Sequence, residues 1–386
     1  MDFDWTDEQK ILRETIREFA EAEIAPEVLE HEREGKFPRA LVQRMWEELG
    51  LGGMLAPEEF GGFDLDPVSY AVVIEELARV WPALAIIVSV HNSVSVQLLN
   101  LHGTEAQKRR YLPDLISRQI GAFSLSEPGA GSDVAALRAT AVRDGDHYVL
   151  NGEKNWITNG LTADLYVIFA KTDSSAGNRG ISAFIVERNS PGLVVAPPER
   201  KMGIKASEAA SLVLQDCRVP AENLLEKEGA GFKIAMKELD GGRIGVGAQA
   251  VGICQAALQR AADYAKERNA FGRPIAEFQA IQWMLAEMAA RLEAARTLVY
   301  RAAWLRARGL SHSREASIAK LYASEAATFI THRAIQIHGG YGFTEDYQVE
   351  RFYRDARVTE IYEGTSEIQR LVIARDWLRE HGYRSR

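Results

Sequence analysis

The hydrophobic period of the chain changes twice along its 386 residues, and those two changes restrict the fold more than any single motif does. From Thr6 the spacing is helical: Leu12, Ile16 and Phe19 share a face, Thr6 and Gln9 have capping-box spacing, and Pro26 interrupts. Phe37-Pro38 opens another helix, Gly61-Gly62 reads as a loop, and Asp66-Pro67 is a helix cap with proline in the first turn. Helical spacing holds to about Leu112. The texture changes at Pro113 and again after Ser126, where the period falls toward two. Asp144-Gly145 and Asn151-Gly152 are hairpin-type turns, and residues 165–169, 181–186 and 212–214 are β-branched, aromatic or aliphatic runs that predict strands. After Gly229-Ala230-Gly231 the helical period returns, punctuated at Pro274, Gly309 and Gly339-Gly340. Helices, strands and helices again, without a βαβ alternation, predict an α+β protein. Its expected parts are an N-terminal helical domain (1–115), a small middle β domain (116–226) and a C-terminal helical bundle (227–386).

Such a length exceeds one hydrophobic core, in keeping with that division. The formal net charge of −8 argues against nucleic acid or an anionic membrane as partner, since phosphate recognition needs a surplus of Lys and Arg. Cys217 and Cys254 have neither metal-ligand nor CxxC spacing and read as small buried hydrophobes of a reducing compartment. The N-terminus shows no basic stretch followed by an apolar one, so the expected location is cytoplasmic. The most apolar stretch, 83–90, continues into His91, Asn92, Ser93 and Ser95, too short and polar to span a bilayer, and predicts a buried helix.

Several chemistries drop out. The chain has no P-loop, no GxSxG, and no HExxH, because His31-Glu32 lacks the second histidine. Gly129-Ala130-Gly131 and Gly245-Val246-Gly247 are only fragments of a dinucleotide-binding glycine motif. What remains is a set of segments with turn residues, hydroxyls and aromatics: SLSEPGAGSD (124–133), NGEKNWITNG (151–160), RNAFGRP (268–274), QIHGGYGF (336–343) and IYEGTSEIQR (361–370). Each alone reads as ordinary structure, such as a surface loop, a core tryptophan or a helix cap. Together, in this order and over nearly the whole chain, they resemble the acyl-CoA dehydrogenase family.

The resemblance implies that family's fold, with a C-terminal four-helix bundle and FAD between the sheet and the bundle. It implies that Phe123, Leu125 and Ser126 lie at the flavin edge, with Trp156, Ile157 and Thr158 around the ring. An aromatic plane can pack on the flavin while hydroxyls and amides bond its polar edge. Relatives usually carry threonine where Ser126 stands, and cysteine or a smaller residue at Ser124; Ser126 keeps the hydroxyl. Arg268, Phe271, Gln279, Gln336, Ile337, Gly339 and Gly340 would contact the adenine and pyrophosphate half of a neighbouring subunit's FAD, a fork of donors and close-approaching glycines suiting a pyrophosphate. Thr365 and Glu367 would hold FAD at a helix start.

For the reaction, the resemblance implies Glu363 as the base that removes the α-proton of a CoA thioester while the β-hydrogen leaves as hydride to flavin N5. An apolar pocket should raise its pKa. Tyr362 and Gly364 would line the thioester, and Ser132, Asp240 and Arg243 would meet the CoA moiety. Some relatives place the base at the position of Gly242; no acid stands there in this chain. The expected assembly is a homotetramer, a dimer of dimers, and the expected electron acceptor an electron-transfer flavoprotein. The stretch from Ile86 to Val94, followed by Leu98 and Leu99, has no Arg or Lys, which favours neutral acyl chains, short or medium in length. Two other readings stay open: an acyl-CoA oxidase, and a non-catalytic FAD-containing relative that binds DNA through its arginine-rich tail (Arg351, Arg354, Arg357, Arg370, Arg375, Arg379).

Overall fold

Thr6 accepts the Gln9 N–H and Gln9 Oε1 accepts the Thr6 N–H, both at 3.2 Å, and this capping box starts helix α1 (Asp7–Phe19). The computed structural model describes residues 4–383. In it Pro26 does not end the helical run: a π turn (Ala20–Ile24) and a 3₁₀ turn (Ala25–Glu27) absorb the proline and lead into α2 (Val28–Glu34). After α3 (Arg39–Leu49), the Asp66 carboxylate accepts from the N–H groups of Val68 and Ser69 and caps α4 (Pro67–Val80). Helix α5 (Pro82–His91) passes through a π turn (Asn92–Val96) into α6 (Gln97–His102). Taken as one rod, Pro82–His102 is long and apolar enough to cross a membrane, contrary to the expectation from its sequence, but 83% of its most apolar window is buried inside the protein.

Pro113 does not mark the end of the helices. It lies inside α7 (Glu105–Ser117), where burial of Tyr111, Leu112, Leu115 and Ile116 outweighs the hydrogen bond that proline removes.

The middle of the chain forms β1 (Gly121–Ser124), β2 (Thr140–Asp144), β3 (His147–Thr158), β4 (Leu165–Lys171), β5 (Ile181–Glu187), β6 (Leu193–Val195) and β7 (Ala209–Pro220). Asp144-Gly145 is the expected hairpin turn, joining β2 to β3. Asn151-Gly152 is not a turn. It lies within β3, where the pairing with β7 slips between Leu150 and Gly152; at φ +144° Gly152 forms a bulge whose backbone sits on Ala139, and a Cβ there would come within 2.7 Å of it. Strands β4 and β5 form where their β-branched and aromatic runs predict strands, and they are buried on both faces, Ser182 of β5 included. Leu165, Val167, Phe169, Ala183 and Ile185 face a core shared with α6, α7 and the next helix, while Tyr166, Ile168, Ala170, Phe184 and Val186 face β3 and β7.

The C-terminal part has α8 (Gly231–Glu267), a short β8–β9 hairpin (Asn269–Ala270 with Arg273–Pro274), α9 (Gln279–Ala307), α10 (Ser313–His338), α11 (Val349–Ala356) and α12 (Ser366–Glu380). Its helices α8 to α11 and helices α1 to α5 share one continuous core. The helical ends therefore pack on each other as well as on the sheet. A buried neutral histidine joins them to the strands: His91 Nε2 meets the Gly52 carbonyl at 2.9 Å and Nδ1 accepts the Gly121 N–H at 3.0 Å, and burial lowers its pKa to about 4. Both cysteines are buried as expected, and burial pushes their thiols up.

Candidate active site

A cavity of about 380 Å³ opens where the ends of β1 and β3 meet α5, α8 and the turn before α12. Of the residues singled out in the sequence, Phe123, Leu125, Ser126, Ser132, Trp156, Ile157, Thr158, Arg243, Tyr362, Glu363, Gly364 and Thr365 line it. Ile86, Val90 and Val94 supply the apolar wall that was expected; Ile361 and Ile368 of the 361–370 segment add to it, as do Met236 and Leu239, of which only Met236 lies in a stretch the sequence gave no reason to single out. The loop after β1 reaches the cavity because a buried pair holds it. Lys154 Nζ donates to Glu127 at 2.8 Å and to the Leu125 carbonyl at 3.1 Å, and Glu127 also accepts the N–H groups of Arg138 and Ala139 at 2.5 and 3.0 Å.

Trp156 has φ +63° and leaves its indole 63% exposed, an unusual state for so large an apolar ring. Beside it the Ser126 and Thr158 hydroxyls and that of Ser132 have no protein partner among the described residues. An exposed aromatic plane next to unpaired hydroxyls fits a flat heterocycle with polar edges.

Glu363 projects from a doubly left-handed turn, with φ +52° at Glu363 and +91° at Gly364, just before Thr365 caps α12 by accepting the Ile368 N–H. A non-glycine residue in that region costs about 1–2 kcal/mol, so the turn is held by its surroundings. Its carboxyl Oε2 is sealed from solvent and meets no donor. Burial raises the Glu363 pKa to about 7, opposed by the positive charges of Arg243 and Lys320. The space the carboxyl occupies exists because residue 242 is glycine: a Cβ there would lie 2.7 Å from Oε2. The sequence showed only that Gly242 is no acid; the structure shows that it makes room for one.

Other expected residues sit elsewhere. Arg268, Ile337, Gly339 and Gly340 line a separate cavity of about 490 Å³ with Tyr264, His338 and Tyr341. Phe271 is 96% exposed at the tip of the β8–β9 hairpin, and Gln279 and Gln336 are also exposed. Asp240 does not line the main cavity. It is tied to Arg243 at 2.5 Å and accepts from Ser313 at 3.1 Å, and burial raises its pKa against the pull of Arg243. Glu367 is exposed in the first turn of α12, where the helix-start N–H and Thr365 lower its pKa. In the arginine-rich tail, Arg351, Arg354, Arg357, Arg370 and Arg379 each pair with a carboxylate, which leaves little unpaired charge for a nucleic acid.

Three family models match nearly end to end: acyl-CoA dehydrogenase N-terminal domain over residues 6–119, middle domain over 122–217 and C-terminal domain over 229–378. A short-chain specific acyl-CoA dehydrogenase of Clostridium acetobutylicum is 48% identical over 375 residues, covering 97% of this chain and 99% of that protein. A chain solved in work on the electron transferring flavoprotein of Acidaminococcus fermentans superposes with a TM-score of 0.97 at 49% identity, over 98% of this chain and all of that one (100%). An acyl-CoA dehydrogenase of Bacillus anthracis solved in complex with FAD gives a TM-score of 0.92 at 40% identity, over 98% of this chain and 68% of that one.

Proposed function

The chain belongs to the acyl-CoA dehydrogenase family, whose members are flavin-dependent oxidoreductases, and we propose that Glu363 is the base with which it desaturates short, uncharged acyl groups carried as CoA thioesters. The observation that carries this reading is the buried Glu363 carboxyl at the wall of the cavity, without a donor on Oε2 and with its pKa raised to about 7. A carboxylate so placed is a stronger base than one in water, yet remains partly ionised at neutral pH.

FAD fits the residues present: Trp156 offers a plane, and Ser126 and Thr158 offer free hydroxyls to its polar edge. Bound there, it supplies the acceptor for the hydride that leaves the β-carbon. The chain's own residues do the rest. Glu363 takes the α-proton onto a carboxylate oxygen as the α,β double bond forms. The Glu363 N–H makes no hydrogen bond within the described residues, so it is free to donate to the thioester oxygen, where negative charge develops. Tyr362, whose hydroxyl donates to Gln249, fixes the near side of the turn.

The acyl wall of Ile86, Val90 and Val94 presents no charge, which supports neutral chains, and the similarity to a short-chain specific relative supports short ones. An electron-transfer flavoprotein is the proposed acceptor of the electrons, supported by the likeness to the Acidaminococcus fermentans chain. We expect butyryl-CoA to bleach the flavin of the anaerobic protein faster than palmitoyl-CoA or glutaryl-CoA. Bleaching by none of a panel of straight, branched and dicarboxylic thioesters would overturn the dehydrogenase reading; fastest bleaching by palmitoyl-CoA would overturn the chain length.

The second cavity supports a homotetramer with shared FAD sites. Arg268, Gly339 and Gly340 line a groove that Glu363 does not, and Phe271, three residues after Arg268, is 96% exposed. Light scattering of the FAD-loaded protein should give four times the chain mass; a monomer that still holds FAD would sink this part.

A further inference from the structure

Lys320 was not among the residues that drew attention in the sequence. It lies on the inner face of α10 among Ala316, Ser317, Ala319, Ala323 and Ser324, and is 0% exposed. Its ammonium donates to the Gly364 carbonyl at 2.7 Å. The same carbonyl accepts from Gln369 Nε2 at 2.8 Å, and Gln369 also reaches the Glu363 carbonyl at 3.2 Å. The two left-handed peptides that carry the base are therefore gripped from beneath by one cation and one amide.

An amide alone would hold a carbonyl equally well, and without the penalty of burying a charge. The charge therefore needs its own reason, and the group nearby that alternates between charged and neutral in the proposed reaction is Glu363. Arg243 on α8 and Lys320 on α10 both act on Glu363, with Tyr70 of α4 and the neighbouring Tyr362 as the other titratable groups around it. Lys320 is itself acted on by Glu363, Arg243, Glu360 and Glu367, and burial lowers its pKa to about 8. The two cations are not equivalent. Arg243 is already matched by Asp240 at 2.5 Å, whereas Lys320 has no carboxylate within ion-pair distance among the described residues. Both cations act on Glu363, Arg243 more strongly, and Lys320 is the one that also holds the turn carrying the base.

We propose that Lys320 is a positioning residue for proton abstraction, pinning the Glu363–Gly364 turn through the Gly364 carbonyl and keeping the Glu363 carboxyl ionised between turnovers. The inference rests on Glu363 being the base. Glutamine at 320 can still donate to the carbonyl but has no charge; methionine has neither property; arginine keeps the charge.

The test uses the FAD-loaded protein and two readouts: the Glu363 carboxyl band, identified in infrared spectra by its loss in Glu363→Gln, and the pH profile of flavin reduction by butyryl-CoA. In Lys320→Gln and Lys320→Met the midpoint for Glu363 protonation should rise by about one pH unit, and the acid limb of the profile with it, because a nearby opposite charge shifts a pKa by that order. Well above that midpoint Lys320→Gln should recover to within several-fold of the parent rate, Lys320→Met should stay slower by about ten-fold from the misplaced turn, and Lys320→Arg should leave the midpoint in place. A folded Lys320→Gln protein whose midpoint and acid limb coincide with the parent's overturns the role of the charge. Lys320→Met reducing flavin at the parent rate overturns the pinning. If neither variant folds, the coupling is read from the other side: in Glu363→Gln the Lys320 pKa must fall, and an unchanged value overturns the proposal. Failure of the base reading looks different, since Glu363→Gln would then reduce flavin as the parent does while the infrared midpoint still responds to residue 320.

Discussion

Glu363→Gln is expected to fold, to retain FAD, and to lose flavin reduction by butyryl-CoA by about 10³-fold or more, the order a positioned base contributes. The carboxamide has the carboxyl's shape, so the cover over Gly242 and the left-handed turn stay in place. No hydrogen bond to Oε2 is lost, because none is made. The same variant should be more stable than the parent at alkaline pH, and the sign follows from linkage. Burial raises the folded-state pKa of Glu363 to about 7 from an ordinary 4.5, so folding favours the protonated form. Relative to a neutral residue, the parent has no penalty below pH 4.5, loses stability as pH rises through about 7, and has lost up to about 3 kcal/mol by pH 8. The variant has nothing there to ionise. Denaturant unfolding at pH 5 and pH 8 should show the two proteins converging at the lower pH and separating at the higher. Dehydrogenation near the parent rate would remove Glu363 as the base, and equal stabilities at pH 8 would mean that the site does not destabilise the carboxylate.

The folding pattern was legible because it depends on period. Strands β4 and β5 are runs rich in β-branched and aromatic residues, and the Thr6/Gln9 capping box and Asp66-Pro67 start helices where their side chains can satisfy orphan N–H groups. The misreadings have a common cause. Pro26, Pro113 and Asn151-Gly152 are local signals, and at each one tertiary burial or strand pairing decided the outcome: the proline is absorbed by a 3₁₀ turn that follows a π turn, or its lost bond is outweighed by four buried side chains, or the glycine is used as a bulge. The site residues carried by the segments around 123–132, 156–158 and 362–365 converge on one cavity, whereas Arg268, Ile337, Gly339 and Gly340 line a second one and Phe271, Gln279 and Gln336 are exposed. Lys320 was illegible, since a lysine in a helix of alternating small and polar residues is ordinarily on the solvent side; only the packing of α10 under the 363–364 turn gives it a partner. Gly242 was half legible, because an absent acid says nothing about whose acid fills the space.

Lys154→Met should destabilise the folded protein by about 3–5 kcal/mol, the range for removing one member of a buried ion pair, and should weaken FAD retention. Lys154 is 0% exposed, and with it gone Glu127, 7% exposed, keeps only the two N–H groups of Arg138 and Ala139 against its charge. The loop that carries Leu125 and Ser126 also loses a direct tie, since the ammonium donates to the Leu125 carbonyl at 3.1 Å. These two losses are separable. In the double variant Glu127→Gln/Lys154→Met the buried charge is removed, while an amide oxygen remains to accept a backbone N–H, so most of the stability should return. The Leu125 tie stays broken, so FAD should still dissociate faster than from the parent. Urea unfolding measures the first effect and flavin fluorescence release on dilution the second. A loss of under about 1 kcal/mol in Lys154→Met would place the pair in the class of solvent-screened ion pairs and end its assignment as the brace of the loop; full recovery of FAD retention in the double variant would mean that the charge balance, not the Leu125 carbonyl contact, sets the loop's position.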